Sequence, residues 1–429
     1  MRNLTCKILP ISFIFLLLLT SCETEKDDLI PLSDQERELR NTVVEIMRTW
    51  YLWNEQLPQV SIEQFNTVQD MLGSMVRADV DRWTYMTDAA EFDRFFTAGE
   101  AVGVGIGLRL DPMGDMWISF VQPRGPAGRA GLARGMKILR VNGTPAREIT
   151  NFRTAFGEDR EGVVLSLEVQ QPGQEPQTFT MTKGVVSLNT VLHHSVIERS
   201  GKKIGYMVFN NFIAVAAQEL NEVVTQLKNE QVEELVLDLR YNGGGMLSIA
   251  QELAGLLAPV ERDDQLLVKL EHNKNRSSEN QTFFFRRSPN SLNLKRIVII
   301  TSGATASASE VIINGLKPFM PVVTVGANTY GKPVGSYGFR VSGFMVLPIT
   351  FRTVNALGEA DYFQGIPVNS RADDDLSRNF GDVQEASLAE AIRYLETGAF
   401  SSSGRRFAPS TDEANRKMLQ GFRQEVGMF

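Results

Sequence analysis

The stretch from Ile297 to Glu310 reads IVIITSGATASASE, a β-branched run that gives way to small residues and then to a helix-forming segment. Small side chains let a chain turn tightly and let another molecule come close to its backbone. Ser307 stands where that helix begins, among main-chain N–H groups that lack an intrahelical acceptor and suit a developing oxyanion. Ser and Thr in such a place also cap helices. Gly243, Gly244 and Gly245 form a second turn of this kind after the apolar run 234–239. Three glycines there imply positive φ or a close backbone approach. No Gly-Lys-Ser/Thr follows them, which sets aside a phosphate-binding loop.

A serine hydroxyl needs a base to act as a nucleophile. The histidines are His193, His194 and His272; the first two have no motif around them and the third sits in a polar stretch. Lys332 lies between glycines in Thr329-Tyr-Gly-Lys-Pro-Val-Gly335. A lysine serves as base when burial brings its pKa from about 10.4 toward 7; a lysine in an exposed turn has the same local sequence. The chemistry in view is acyl transfer through a serine. Ser302 and Ser309 are the rival hydroxyls, and Ser309 points about 200° around the helix from Ser307, so both cannot face one lysine.

The elements that must carry these residues fall into three groups. Ser33 and Glu36 are spaced as a capping box, and Leu39, Val43, Met47 and Trp50 follow at helical spacing. A second helical stretch covers 62–76, and Trp50, Tyr51, Trp53, Trp83 and Tyr85 read as the core of this helical segment. From 99 to 186 the chain shows short β-rich runs at 102–110, 116–121, 137–141, 163–170 and 178–182, with short helices at 127–133 and 151–156. From about 204 onward strands and helices alternate. Strands at 234–239, 297–301 and 322–325 frame a helix carrying Ile249, Leu253 and Leu257 and another over 307–316, a βαβ-type pattern.

The first residues bear on compartment. Arg2 and Lys7 precede an apolar run at 11–19, and Leu19-Thr-Ser-Cys22 follows, a secretory signal layout too short to span a membrane. With the cysteine at its end it resembles a bacterial lipoprotein signal cut before Cys22, whose thiol would carry lipid. Cys6 would leave with the signal, so no internal disulfide and no Cys-His metal site is expected. Formal charge is −7, and loss of Arg2 and Lys7 takes it to −9, which argues against nucleic acid and against electrostatic attachment to anionic lipid.

Three blocks together resemble the carboxyl-terminal processing peptidases, or tail-specific proteases: Asp238-Leu-Arg240-x-Asn242-x-Gly-Gly245, Thr305-Ala-Ser307-Ala-Ser-Glu310 and Tyr330-Gly-Lys332. Order and the 25-residue step from Ser307 to Lys332 agree with that family. The resemblance implies that Ser307 is the nucleophile, Lys332 the base, and the backbone N–H groups of Ala308 and Gly244 the oxyanion donors. It implies an α/β fold with a ClpP/crotonase-like core, a preceding or inserted β-rich PDZ domain and an N-terminal helical domain. Gly103, Val104, Gly105 and Ile106 would then form the loop that takes a peptide carboxylate, with the peptide added as a strand. Two positions depart from the family. The glutamine that often follows the lysine by four residues is Ser336 here, leaving a hydroxyl to orient the amine, and Pro333 replaces a glycine.

The resulting expectation divides the chain into a signal peptide (1–21), a lipidated tether (22–32), a helical domain (33–97), a PDZ domain (98–186), a peptidase core (187–400) and a polar tail (401–429). The expected activity is serine endopeptidase cleavage of exported proteins or peptides near their C-terminal tails, without cofactor or metal, at a bacterial envelope membrane held through Cys22. The outer membrane is the expected site. A non-catalytic tail-binding lipoprotein and a relative using His193 or His194 as base are the alternatives.

Overall fold

The computed structural model describes residues 31–401; the expected signal peptide, the expected lipidation site Cys22 and the polar tail beyond 401 lie outside the described residues. Helix α1 (Asp34–Trp50) begins where Ser33 Oγ accepts the Glu36 N–H at 3.2 Å, and its apolar stripe buries Leu39, Val43, Val44 and Met47. These side chains pack on Met71, Leu72 and Met75 of α2 (Val68–Met75). The expected helical region then ends in a strand, β1 (Tyr85–Asp88). Helix α3 (Ala89–Asp93) runs directly into a π-helical turn at Arg94–Ala98.

A β-rich module follows. It comprises β2 (Glu100–Gly103), β3 (Ile106–Leu110), β4 (Met116–Val121), α4 (Pro126–Ala130), β5 (Lys137–Val141), β6 (Thr144–Pro145), α5 (Phe152–Phe156), β7 (Val164–Gln170), β8 (Gln177–Thr182) and β9 (Gly184–Ser187). The order β3-β4-β5-β7-β8 leaves β3 at a sheet edge, while β2 pairs with β9 in a separate ribbon. The single β run expected over 102–110 is therefore two strands in two sheets. Gly105, at φ +82°, makes the break.

The remaining chain builds the core from β10 (Val191–Arg199), β11 (Lys202–Phe209), α6 (Ala216–Asn229), β12 (Glu234–Asp238), α7 (Leu247–Leu257), β13 (Leu266–His272), β14 (Gln281–Phe284), β15 (Ile297–Thr301), α8 (Ala308–Leu316) and β16 (Val322–Gly326). It closes with β17 (Val334–Ser336), β18 (Phe339–Val341), β19 (Phe344–Leu347), β20 (Ile349–Val354), β21 (Ser370–Arg371) and α9 (Ala386–Thr397). The central sheet has the order β10-β11-β12-β15-β16-β21, parallel from β11 onward. Every residue of β12 and β15 is buried, as strands covered on both faces require. Helices α6, α7 and α8 pack on one face and α9 on the other. A second sheet, β14-β13-β20-β17, leaves β17 at its edge, and β1 pairs with β19 so that the N-terminal segment is tied into the core.

This topology positions the chemistry. Strands β12, β15 and β16 are parallel neighbours, and their C-terminal ends lead respectively into the glycine turn, the serine loop and the lysine loop. Three sequence blocks far apart in the chain thus leave the sheet side by side, in the crevice where open α/β sheets place ligands.

Candidate active site

Ser307 precedes α8 with φ 55° and ψ −118°, a conformation that costs a non-glycine residue roughly 1–3 kcal/mol and persists only where the surroundings enforce it. It is also the only residue between 305 and 310 that is not buried. Its neighbours explain the enforcement. Thr305 Oγ1 donates to Leu239 O at 2.8 Å, Ala306 N–H to Asn242 O at 3.1 Å, and Ser309 Oγ to the same Asn242 carbonyl at 3.1 Å. Ser302 Oγ donates to Arg240 O. Both rival hydroxyls are therefore spent on bracing the serine loop against the glycine turn.

The buried carboxylate of Glu310 ties the serine loop to the lysine loop. Oε2 accepts the backbone N–H of Ser307 at 2.9 Å and of Lys332 at 2.8 Å. Oε1 accepts the Gly331 N–H at 2.7 Å and the Thr329 hydroxyl at 2.5 Å. Burial pushes the Glu310 carboxyl upward, and these bonds to Thr329, Lys332, Gly331 and Ser307 pull it back only in part. Sequence reading quoted Glu310 within a motif and gave it no role; its spacing as the N3 acid of a Ser-x-x-Glu capping box was the available signal.

Ser307 and Lys332 share the wall of one cavity of about 420 Å3. Lys332 is buried, at 8 % exposure, while Ser307 is reached from the cavity. Ser336 lies on the same wall, in edge strand β17, beside Val334 and Gly335. Among the described residues, Lys332 is the only Lys, Arg, Asp or Glu in the lining. Leu270, Phe283, Val311 and Phe351 line one part, and Tyr85, Phe92, Phe96 and Leu347 another. Tyr85 is thus a cavity residue that packs with Leu347 and Phe92, and the π-helical turn brings Phe96 to the lining.

The oxyanion pair expected at Ala308 and Gly244 requires one correction. Gly244 is buried and its N–H donates to Asn242 Oδ1 at 2.9 Å. Gly245 lines the cavity, and among the described residues neither its N–H nor that of Ala308 has a hydrogen-bond acceptor. Gly244 has a steric part: at φ +106°, a Cβ there would lie 2.7 Å from Ser307 Cβ.

None of the three described histidines lines the cavity. His193 and His194 lie on β10, where they meet Ser195 and Gln226, and His272 ends β13. In the β-rich module, Gly103, Val104, Gly105 and Ile106 are all buried, with Val104 O accepting Ala127 N–H and Gly105 O accepting Gln122 N–H, each at about 2.9 Å or less. The module docks on the core through charge. Arg134 donates to Asp374 at 2.9 Å and to Tyr241 Oη at 2.6 Å, and Arg240 reaches Asp238, Asp374 and Glu385. Burial alone would raise the Asp374 carboxyl, but Arg134, Arg240 and Arg109 hold it far below the usual range. Among the described residues no cluster of metal-ligating side chains occurs, and no helix is long and apolar enough to cross a membrane.

A serine in an enforced turn and a buried lysine thus share one cavity, and comparison with known proteins gives the class of enzyme. Residues 203–367 match the model of peptidase family S41, and residues 38–85 match the peptidase S41 N-terminal domain. The carboxyl-terminal-processing protease of a Picosynechococcus species is 27% identical over 290 residues, covering 66% of this chain and 68% of its own. The carboxy-terminal processing protease CtpB of Bacillus subtilis is 23% identical over 416 residues, covering 90% and 84%. A crystal structure of a Bacteroides fragilis protein described as an S41 protease superposes with TM-score 0.68 at 26% identity, over 83% of this chain and 97% of that one. The photosystem II D1 C-terminal processing protease shares the fold at TM-score 0.52 and 21% identity, over 80% and 94%. The protein is a serine-type peptidase, a hydrolase of peptide bonds. Its residues 203–367 are similar to peptidase family S41, and the chain is a homologue of the carboxyl-terminal processing proteases.

Proposed function

We propose that the protein is an extracytoplasmic endopeptidase working through a Ser307–Lys332 dyad. Ser307 Oγ attacks the scissile carbonyl while the neutral Lys332 amine takes its proton, and the N–H groups of Ala308 and Gly245 hold the oxyanion. Lys332 returns the proton to the leaving amine, and a water activated by the same lysine then frees the acyl group from Ser307. The observation that carries this reading is the single cavity shared by Ser307 and Lys332, with both backbones fixed by the one Glu310 carboxylate.

Substrate is held along β17. Strand β17 pairs only with β20, so an extended peptide can add at its free edge beside Lys332. With no Arg, Asp, Glu or second Lys among the described lining residues, uncharged and mainly apolar residues fit next to the cleaved bond. Ser336 lies on this strand, where its hydroxyl can orient the amine in place of the family's glutamine. The β-rich module is a PDZ domain in this reading. Its edge strand β3 takes a peptide tail, and the 103–106 loop meets the terminal carboxylate. The core is of the ClpP/crotonase type. Substrates are exported proteins or peptides with exposed C-termini, and lipid on Cys22 holds the enzyme at a bacterial envelope membrane, the outer membrane in this reading.

The test is covalent. A serine-directed fluorophosphonate reacted with the protein should modify Ser307, located by peptide mass mapping, and Lys332→Ala should slow the modification at least a hundredfold. Labelling at another serine, or labelling indifferent to Lys332, would reject the dyad.

A further inference from the structure

The cavity wall carries several polar groups that the proposed chemistry leaves unused, and Tyr337 is the one whose hydrogen is committed to a partner behind the wall. Tyr337 directly follows β17 and lines the cavity, five residues beyond Lys332. Its hydroxyl lies 3.1 Å from Nε2 of His272. The other side of the imidazole decides where the hydrogen sits. Asn280 Oδ1 lies 2.8 Å from the backbone N–H of His272, a group that can only donate, so this amide atom is the oxygen. The same oxygen lies 3.2 Å from His272 Nδ1, so Nδ1 carries the proton and Nε2 of the neutral ring is an acceptor. Tyr337 therefore donates its hydroxyl hydrogen to His272. Toward any other partner its oxygen has lone pairs alone.

Packing fixes this arrangement. The Tyr337 ring stacks on His272 at 5.4 Å and meets Phe351 at 5.2 Å and Trp50 at 5.9 Å. Burial, together with the Glu279 carboxylate, holds the phenol above its ordinary pKa, so the hydrogen it donates is retained. Leu270, Phe283 and Phe351 share the lining with Tyr337. In such apolar company a substrate donor without an acceptor is costly to bury.

We propose that Tyr337 is a specificity-determining residue that accepts a hydrogen bond from a hydroxyl- or carboxamide-bearing substrate side chain, at a position displaced from the scissile bond. The assignment rests on the cavity being the substrate cleft, as in the function proposed above. It adds to the apolar cleft one position selective for a donor, enforced by the Asn280–His272–Tyr337 chain.

The full chain is assayed on peptide pairs that place Thr against Val, or Ser against O-methylserine, at successive positions around the cleaved bond. The wild type should prefer the donor at one position by roughly five- to tenfold in kcat/KM, the scale of one net hydrogen bond. Tyr337→Phe should bring that ratio to about one, through loss of the donor peptide's advantage. His272→Leu releases the hydroxyl hydrogen, so O-methylserine, which only accepts, should become as good a substrate as Ser. A donor preference that survives Tyr337→Phe, or an equal fall for both members of each pair, overturns the assignment while Ser307-dependent cleavage still stands. Cleavage that persists in Ser307→Ala would instead remove the cleft reading and this assignment with it.

Discussion

Glu310 and Lys332 are joined by a 2.8 Å hydrogen bond in which the lysine's backbone N–H, not its amine, meets a fully buried carboxylate. The same oxygen takes the Ser307 N–H, so one acid sets the distance between two loops that leave adjacent strands. Holding reacting groups in register is a large part of what a protein contributes to catalysis, and small displacements are expensive.

Glu310→Gln tests this bracing. The amide keeps the volume but turns an NH2 group toward backbone donors. Turnover should fall about a hundredfold with KM nearly constant. Denaturant titration should show a loss of about 1–3 kcal/mol, the cost of unsatisfied buried groups. A variant with normal kcat would show that Glu310 does not set the geometry.

Gly244→Ala should be inactive even though the Gly244 N–H faces Asn242 rather than the cavity. The added Cβ would meet Ser307 Cβ at 2.7 Å, and the φ of +106° disfavours any side chain. Burst kinetics with an activated ester would check it: no acylation burst is expected. A normal burst would mean that the turn yields without moving Ser307.

Much of this site could be read from the sequence because strand-to-helix junctions write themselves in local composition. The strands at 297–301 and 234–238 are unbroken apolar runs, and the small residues after them mark the turns. Ser307 stood out for that reason, whereas Lys332, in a loop between β16 and β17, was singled out by the family resemblance and by the lack of a placed histidine. Gly245 was not distinguished from Gly244, because which of two adjacent amides is consumed depends on Asn242, folded back by its bond to Phe209 O. Strands β13, β14 and β17 through β20, and helix α9, were missed. Their partners are non-local, and short pieces such as Val334–Ser336 have no periodicity to detect. Strand β1 was read as part of a helical segment because its pairing partner lies about 260 residues away.

Asp374→Asn addresses the docking of the β-rich module. The folded Asp374 carboxyl lies below its unfolded value of 3.8, so its contribution is fully present above that pH and is lost as pH falls through the folded value. Wild type should exceed the variant by about 3–5 kcal/mol near neutrality, the cost of stranding a buried partner charge. The gap should be flat above pH 5 and narrow below 3.8. Unfolding titrations across that range check this, and a gap that widened with acid would contradict it.

Ser336→Ala should lower kcat about tenfold if the hydroxyl orients Lys332, and Ser336→Gln should recover most of the loss. A pH–rate profile sharpens the test, since a change in how the general base is held moves the acidic limb, where the base must lose its proton, while a purely structural change leaves its midpoint in place.

The most direct measurement is kcat/KM on a single apolar peptide for the wild type, Ser307→Ala, Lys332→Ala and the His193→Ala/His194→Ala double variant. The dyad predicts a fall of about 10⁴-fold for each of the first two substitutions and a change within about twofold for the histidine pair. Retained activity in Lys332→Ala, or its loss in the histidine pair, would contradict the account.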